Sequence, residues 1–230
     1  RQYHYPHTFT LENGASLPQI DLAYQTWGQL NADGDNVIWI CHAFTGSQDV
    51  ADWWQGLVGP GKLFNPENNF IVCANIIGSC YGSTGPLSID PQTGSPYYAT
   101  FPSVTIRDMV NAHVILRESL GIKSIALLMG GSMGGYQALE WALLEPATIK
   151  KLFLIATSPS ESAWGVAVHT AQRLAIEADP TWNTMDAGAG AAGLAAILAF
   201  PERFAGKTVG TTICGGNIDP RILANVLLDR

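Results

Sequence analysis

LLMGGSMGGYQALEWALLEP, the stretch from Leu127 to Pro146, passes from an apolar run through four glycines around Ser132 into apolar residues at helical spacing. Residues 130–134 match the pattern G-x-S-x-G, and glycines between a strand and a helix permit a sharp, strained turn. The pattern therefore predicts a buried strand, a tight turn that exposes Ser132, and a helix from about Met133 to Leu144.

A serine exposed on such a turn is predicted to be a nucleophile. The Met133 N–H, at the start of the helix, is placed to stabilise an oxyanion. A second donor is expected from the Phe44 N–H, in the loop CHAFTGS that follows the first central strand. The alternatives are an ordinary N-cap serine and a phosphate loop, although no lysine follows the last glycine. His42 could be mistaken for the catalytic base, but a histidine in this loop more often shapes the backbone.

Further strands and helices alternate along the chain. A capping-box pattern begins a helix at Thr105 and Asp108, and another helical stretch covers residues 161–179. The first thirty residues are interpreted as a hairpin, with residues 7–14 opposite residues 19–28. Continuous apolar runs predict four buried strands, within residues 37–44, 69–78, 124–131 and 149–158. This alternation indicates an α/β fold with a mostly parallel sheet and helices on both faces.

Composition narrows the class of protein. The 230 residues are 47% hydrophobic and 13% charged, with a net charge of −7 and scattered basic residues, which argues against nucleic acid or an anionic membrane as partner. The four cysteines show no CxxC spacing, so reduced, buried thiols in a cytoplasmic protein are expected. No apolar run reaches the roughly 18 residues of a membrane span, and no signal peptide is expected at the start.

Two other glycine-rich segments have alternative interpretations. GSCYGSTGP, from Gly78 to Pro86, either lines the active site or forms a structural turn. GAGAAG, from Gly188 to Gly193, matches G-x-G-x-x-G, but no strand precedes it and no acidic residue lies about twenty positions on. Packing of small residues between helices explains the second segment better than a dinucleotide site does.

Four long motifs carry a resemblance to a known family: VIWICHAFTGSQDVADWW, CANIIGSCYGSTGP, FPSVTIRDMVNAH and GGSMGGYQALEWA. They resemble the homoserine O-acetyltransferases of methionine biosynthesis, and the similarity runs from about Tyr3 to Asn183. The resemblance implies an α/β-hydrolase fold and transfer of acetyl from acetyl-CoA to the L-homoserine hydroxyl through an acetyl-enzyme. Ser132 would be its nucleophile, and Phe44 and Met133 would supply the oxyanion N–H groups.

The same resemblance implies further properties. Arg173 occupies the position of an arginine that holds the carboxylate of homoserine, a bidentate role that suits a guanidinium. Both substrates are small molecules, a homodimer is suggested, and neither a bound cofactor nor a metal is expected. The family also has an Asp and then a His in its C-terminal third. The five histidines here are His4, His7, His42, His113 and His169, so that base is absent from its expected place.

The C-terminal stretch departs from the family. It is similar to the C-terminal part of threonine dehydratases, pyridoxal-phosphate enzymes in which the residue at Cys214 would face the cofactor's ring nitrogen. The lysine segment that binds that cofactor has no counterpart, so pyridoxal phosphate is not predicted. Asp219 follows a predicted strand and is a candidate triad acid. We therefore expect an acyltransferase core over residues 1–183, a helix–strand–helix tail over residues 184–230, and a C-terminal part of the fold that is incomplete or replaced.

Three hypotheses for function remain open. The first is an O-acyltransferase, impaired because a serine hydroxyl is a poor nucleophile without a base. The second is a serine hydrolase, or esterase, in which water is the acceptor. The third is a catalytically inactive remnant. The choice of acetyl or succinyl as donor, and of homoserine or serine as acceptor, also stays open.

Overall fold

The apolar runs of the sequence form the strands of an α/β structure in the computed structural model, which describes residues 1–177. The strands are β1 (Gln2–Tyr5), β2 (Phe9–Thr10), β3 (Ser16–Leu17), β4 (Ile20–Trp27), β5 (Val37–Cys41), β6 (Phe70–Ala74), β7 (Ile89–Asp90), β8 (Ser95–Pro96), β9 (Ile125–Gly131) and β10 (Leu152–Ile155). The helices are α1 (Val50–Trp53), α2 (Ile106–Ser119), α3 (Met133–Leu144) and α4 (Ala163–Glu177), with a short 3-10 helix at Tyr98–Thr100.

The main sheet has the order β1-β4-β6-β5-β9-β10 among the described residues. Strands β6, β5, β9 and β10 run parallel, whereas β4 is antiparallel to both of its neighbours. The predicted mostly parallel sheet is therefore confirmed, with an antiparallel pair at one edge. The parallel strands place their carboxyl ends at one edge of the sheet, where ligands bind in open α/β sheets.

The predicted N-terminal hairpin was partly wrong. A small hairpin does form around the turn at Gly14, whose N–H donates to the Leu11 carbonyl at 2.9 Å, but it joins only β2 and β3. Strand β4 pairs instead with β1 and β6, with Tyr3 opposite Leu22. The first part of β4 is largely buried and pairs with a strand on each of its two edges. Strand β2 has only two residues and is too short to cover either edge.

Helix α2 begins where its capping box predicts. The Asp108 N–H donates to Thr105 Oγ1 at 3.2 Å, and the Thr105 N–H donates to Asp108 Oδ2 at 2.9 Å. The second carboxylate oxygen, Asp108 Oδ1, accepts from the Glu12 N–H at 2.8 Å. One buried carboxylate thus caps α2 and fixes the turn between β2 and β3 upon it.

The core lies on both faces of the sheet because successive residues of β5 point to opposite sides. Val37 and Trp39 pack with α2 and α3, whereas Ile38 and Ile40 pack with the side on which α1 lies. Helices therefore cover both faces, as the sequence predicts. No helix within residues 1–177 combines the length and apolar character needed to cross a bilayer.

Strand β10 is the exception to this burial. Within the described residues it pairs with β9 alone, with Leu154 opposite Gly130. All four of its side chains are exposed, by 36 to 50%. Among residues 1–177, this apolar strand therefore forms the edge of the sheet.

Candidate active site

Ser132 lies at the turn between β9 and α3, as the sequence predicts. Its backbone has φ 54° and ψ −122°, outside the regions that a residue with a side chain ordinarily occupies. The Ser132 N–H donates to the Ile155 carbonyl at 3.0 Å, and the Ser132 carbonyl accepts from the Gly135 N–H at 2.9 Å. These two bonds hold the strained turn between the end of β10 and the start of α3, and they leave the serine exposed.

Gly134 brings α3 into direct contact with the end of β5. A Cβ atom at this position would overlap the Cys41 carbonyl and would lie 2.8 Å from the His42 carbonyl oxygen. Cys41 is also opposite Gly130 in the pairing of β5 with β9. The first turn of the nucleophile helix and the loop after β5 are therefore packed backbone against backbone.

The two predicted oxyanion donors lie on either side of this contact. The Met133 N–H is in the first turn of α3, where helix N–H groups have no intrahelical acceptor. Phe44 lies in the turn after β5 that the hydrogen bond from the Gly46 N–H to the Ala43 carbonyl closes at 2.8 Å, and its side chain is half-exposed. Both donors thus come from segments that leave the same edge of the sheet beside Ser132.

His42 is a backbone anchor in this structure rather than a base. Its ring is buried, Nδ1 lies 2.8 Å from the Ala43 carbonyl oxygen, and Nε2 accepts from the Ile76 N–H at 3.3 Å. Burial lowers the pKa of His42 below its usual value, so the ring is neutral. With both nitrogens bonded to the backbone, His42 shapes the oxyanion loop and offers no lone pair to Ser132.

A buried polar cluster behind this loop was missed by the sequence analysis. The His113 ring packs beside the Trp39–Trp141 pair, with ring centroids 5.8 and 6.0 Å away, and burial lowers the pKa of His113 to about 3. The ring nitrogens of His113 and the side-chain amide of Asn75 are buried here and have no hydrogen bond of standard geometry among the described residues. The Asn75 backbone raises the pKa of His113 slightly and the Asn75 side chain that of His42, each against the larger effect of burial. The one sequence signal was a histidine on the apolar face of α2.

Gln137 joins the loop after β5 to the first turn of α3. Its Nε2 donates to the carbonyls of His42 and Met133, each at 3.4 Å, while its Oε1 has no partner among the described residues. The side chain therefore links the carbonyl that precedes the oxyanion loop to the first turn of α3. It adds a side-chain link to the backbone contact that Gly134 permits.

The loop from Gly78 to Pro86 is fastened to the sheet. The Gly78 N–H donates to the Thr84 carbonyl at 2.7 Å, and the Ser83 hydroxyl donates to the Asn75 carbonyl at 2.8 Å. Ser83 Oγ also accepts from the Ala23 N–H of β4 at 3.0 Å. These bonds favour the structural-turn interpretation of this segment.

Arg173 lies on α4, where it is exposed. Two residues that the sequence analysis did not single out make contacts near the start of this helix, namely Glu161 and Tyr136. Glu161 Oε2 accepts from the Tyr136 hydroxyl at 3.3 Å and lies 3.8 Å from His169 Nδ1. Tyr136 belongs to α3, one turn after Ser132, so this contact ties the start of α4 to the nucleophile helix.

Comparison with known proteins agrees with this architecture. The sequence profile of the α/β hydrolase fold matches residues 36–199, which is more than half of the chain. The chain belongs to the α/β hydrolase family. Ser132 is accordingly at the strand-to-helix turn that carries the nucleophile in this fold.

Particular relatives are more similar. The homoserine O-acetyltransferase of Trichormus variabilis is 54% identical over 181 residues, which are 79% of this chain and 50% of that protein. The homoserine O-acetyltransferase of Nostoc punctiforme is 53% identical over 183 residues, 78% of this chain and 51% of that protein. The chain spans about half the length of these curated relatives.

Solved structures give the same picture. A crystal structure of homoserine O-acetyltransferase from Bacillus anthracis aligns with a TM-score of 0.74 at 31% identity, covering 79% of this chain and 53% of that one. A crystal structure of esterase E22 aligns with a TM-score of 0.73 at 29% identity, covering 89% of this chain and 63% of that one. This α/β hydrolase core is thus shared with an acetyltransferase and with an esterase.

The other positions that the sequence analysis singled out lie beyond the residues that the structure describes. Asp219 and Cys214 lie outside residues 1–177, as does the predicted boundary near residue 183, so all of these stay predictions. Within the described residues no group of three or more His, Cys, Asp and Glu side chains could hold a metal ion. The candidate site therefore consists of Ser132 and the loop after β5, with Phe44 and Met133 as the predicted donors, and Arg173 of α4 stays a predicted substrate-binding residue.

Proposed function

We propose that this chain is an O-acetyltransferase of the homoserine O-acetyltransferase type. The observation that carries the proposal is the strained turn at Ser132, packed against the oxyanion loop through Gly134, in a chain 54% identical to such an enzyme over 181 residues. Acetyl-CoA is the proposed donor and L-homoserine the proposed acceptor. The product, an acetyl ester of homoserine, fits a role in methionine biosynthesis, for which we propose a cytoplasmic location.

The reaction proceeds in two acyl transfers. Ser132 Oγ attacks the acetyl carbonyl carbon of acetyl-CoA while its proton passes to a base, and the negative charge develops on the carbonyl oxygen. The N–H groups of Phe44 and Met133 are the proposed donors to that oxygen, since donors fixed in advance stabilise such charge most strongly. The carbon–sulfur bond then breaks, and CoA leaves as the thiol after taking up the proton.

The second transfer regenerates the serine. The hydroxyl oxygen of homoserine attacks the acetyl-serine carbonyl, its proton passes to the base, and the bond to Ser132 Oγ breaks with return of the proton to that oxygen. Arg173 is proposed to hold the carboxylate of the acceptor. His42 is bonded to the backbone through both ring nitrogens, so we propose that it is not the base of either transfer.

An esterase is the second candidate. The exposure of Ser132 and the structural similarity to esterase E22 over 89% of the chain favour water as an alternative acceptor. The two reactions share the acetyl-enzyme and differ only in what removes the acetyl group. By resemblance to the family, we also propose that the chain forms a homodimer.

Acetylation of Ser132 is the decisive test. The protein is mixed with acetyl-CoA, and intact mass with peptide mapping locates the acetyl group, using Ser132→Ala as the control. We expect acetyl on Ser132 and none on the variant, followed by CoA release that depends on L-homoserine. Release that ignores homoserine identifies the esterase instead. A folded but unmodified protein overturns both activities and leaves a catalytically inactive remnant.

A further inference from the structure

Gln137 is a polar side chain on the buried face of α3. It is as fully buried as Ala138 and Trp141, which belong to the same helix and to the hydrophobic core. A buried amide lowers stability unless it is hydrogen-bonded, and an apolar side chain of the same length would carry no such cost. The hydrogen bonds of Gln137 are therefore the feature that distinguishes it from its apolar neighbours in the core.

These hydrogen bonds go to two backbone carbonyls. Nε2 carries two hydrogens and donates to the carbonyl oxygens of His42 and Met133, each 3.4 Å away. The bond to Met133 stays within α3, since the two residues are one turn apart, whereas the bond to His42 crosses to the loop after β5. Within residues 1–177 Oε1 has no partner, so the amide group is oriented through its nitrogen.

Each of these carbonyls belongs to the peptide group next to that of a predicted oxyanion donor. The His42 carbonyl is in the planar peptide group that joins His42 to Ala43, and the Phe44 N–H is in the following one. The Met133 carbonyl is likewise one peptide group beyond the Met133 N–H. Only the φ and ψ angles of Ala43, and those of Met133, separate the two donors from the carbonyls that Gln137 holds.

The Gln137 amide links the loop after β5 to α3 in a directional way, which the neighbouring contacts do not do. The close approach at Gly134 limits how near α3 and the loop can come, but van der Waals contacts do not fix their orientation. The His42 ring accepts from the Ile76 N–H, which ties the loop after β5 to the loop after β6 rather than to α3. A hydrogen bond weakens steeply with angle, so Gln137 constrains orientation as well as distance.

We propose that Gln137 is a positioning residue that fixes the spacing of the two oxyanion donors, the N–H groups of Phe44 and Met133. It is fully buried, so it acts through the two carbonyls that it holds and not by contact with the substrate. Donors fixed before the reaction stabilise the developing charge without reorganisation, so loosening them slows acyl transfer and leaves substrate binding unchanged. This inference rests on the proposed transferase function, because it requires these two N–H groups to be the donors.

Single-turnover acetylation of Ser132 tests this role. The rate is measured by intact mass at several acetyl-CoA concentrations for the full chain, Gln137→Met and Gln29→Met. Methionine has the length of glutamine without its N–H groups, so Gln137→Met removes both bonds and still fills the space. Gln29 is the matched control because it is exposed and follows β4 beside the start of β6, at the opposite end of the parallel strands from Ser132.

The expected effect of Gln137→Met is on the rate and not on binding. The maximal acetylation rate should fall about 10- to 100-fold, since a misplacement of about 1 Å can cost that much, while the half-saturating acetyl-CoA concentration should stay within about twofold. Gln29→Met should keep both values. A folded Gln137→Met variant with the maximal rate of the full chain overturns the proposal, as does a change confined to the half-saturating concentration.

Two exchange measurements do not depend on activity. In the full chain, the side-chain amide protons of Gln137 should exchange with solvent at least about 10-fold more slowly than those of Gln29, and equal rates overturn the proposal. In folded Gln137→Met, the Gly46 amide, which closes the turn around Phe44, should exchange several-fold faster than in the full chain, and unchanged exchange overturns it as well. Absence of acetylation in the full chain refutes the proposed function, whereas acetylation that is insensitive to Gln137→Met refutes this inference alone.

Discussion

Strands β5 and β10 belong to one sheet and have equally apolar sequences, yet their environments are opposite. Every residue of β5, Val-Ile-Trp-Ile-Cys, is buried, whereas every residue of β10, Leu-Phe-Leu-Ile, is exposed by 36 to 50%. The central strand has a neighbour on each side and helices on both faces, and β10 pairs with β9 alone within residues 1–177. An apolar run therefore specifies a strand, but its burial depends on the neighbours that the fold supplies.

The largest expected effect on stability is that of a substitution at Gly134, which packs against the buried strand β5. Gly134→Val places a side chain where the Cys41 carbonyl lies, so the nucleophile helix must move away from β5. We expect a loss of about 3 kcal/mol or more in the free energy of unfolding, measured by urea denaturation. Leu143→Ala, on the exposed side of α3, is the control and should change stability by less than about 1 kcal/mol. A Gly134→Val variant as stable as this control would contradict the packing described.

A matched pair of isoleucines, one in β5 and one in β10, tests the comparison through losses of unfolding free energy of intermediate size. Ile40 of β5 is fully buried and Ile155 of β10 is 42% exposed. Ile40→Ala should cost about 2–5 kcal/mol because it opens a cavity, and Ile155→Ala about 1 kcal/mol because the side chain already contacts water. Equal losses in urea denaturation would show that β10 is covered in solution and that the contrast between the two strands does not hold.

A further prediction concerns the acid stability of the buried histidines behind β5. Burial lowers the pKa of His113 to about 3 and also lowers the pKa of His42. In the unfolded chain each histidine takes up a proton near pH 6.5, while the folded state does not. The unfolded state then binds more protons, so stability is lost as pH falls below about 6.5, by up to about 1.4 kcal/mol per pH unit for each ring.

The measurement is urea denaturation at several values between pH 7 and pH 5, for the unsubstituted chain and for His113→Phe. The variant cannot titrate at this position, so its stability should fall less steeply as the pH decreases. His169→Phe, which removes an exposed ring, is the control and should leave the steepness unchanged. The same slope in all three proteins would assign the acid sensitivity to other groups.

Much of this fold could be predicted because local signals are strong. The glycines around Ser132 fix the strand-to-helix turn, and α3 runs from Met133 to Leu144 as its apolar spacing predicts. The capping box at Thr105 likewise fixes the start of α2. These features depend on residues that are neighbours along the chain, so the sequence alone contains the information.

Features that depend on distant residues could not be predicted in the same way. The pairing of β4 with β1 rather than with β2 follows from which strand can cover a long edge. The contact between Tyr136 and Glu161 joins α3 to the segment just before α4, and no local pattern indicates it. The burial of His113 beside two tryptophans requires the packing of α2 and α3 on β5. Asp219 stays a sequence-based prediction for the triad acid.

The hydrogen bond from the Ser132 N–H to the Ile155 carbonyl joins the most strained residue of the site to the last residue of the open strand. Local opening of a protein is easiest where few neighbours hold a segment, and its free energy there is well below that of global unfolding. When the end of β10 opens, Ser132 loses this anchor, and its backbone can relax while β5 and β6 stay paired. Among the strands that the structure describes, β10 is therefore the one whose opening releases Ser132, and amide hydrogen exchange at Ser132 measures the free energy of that opening.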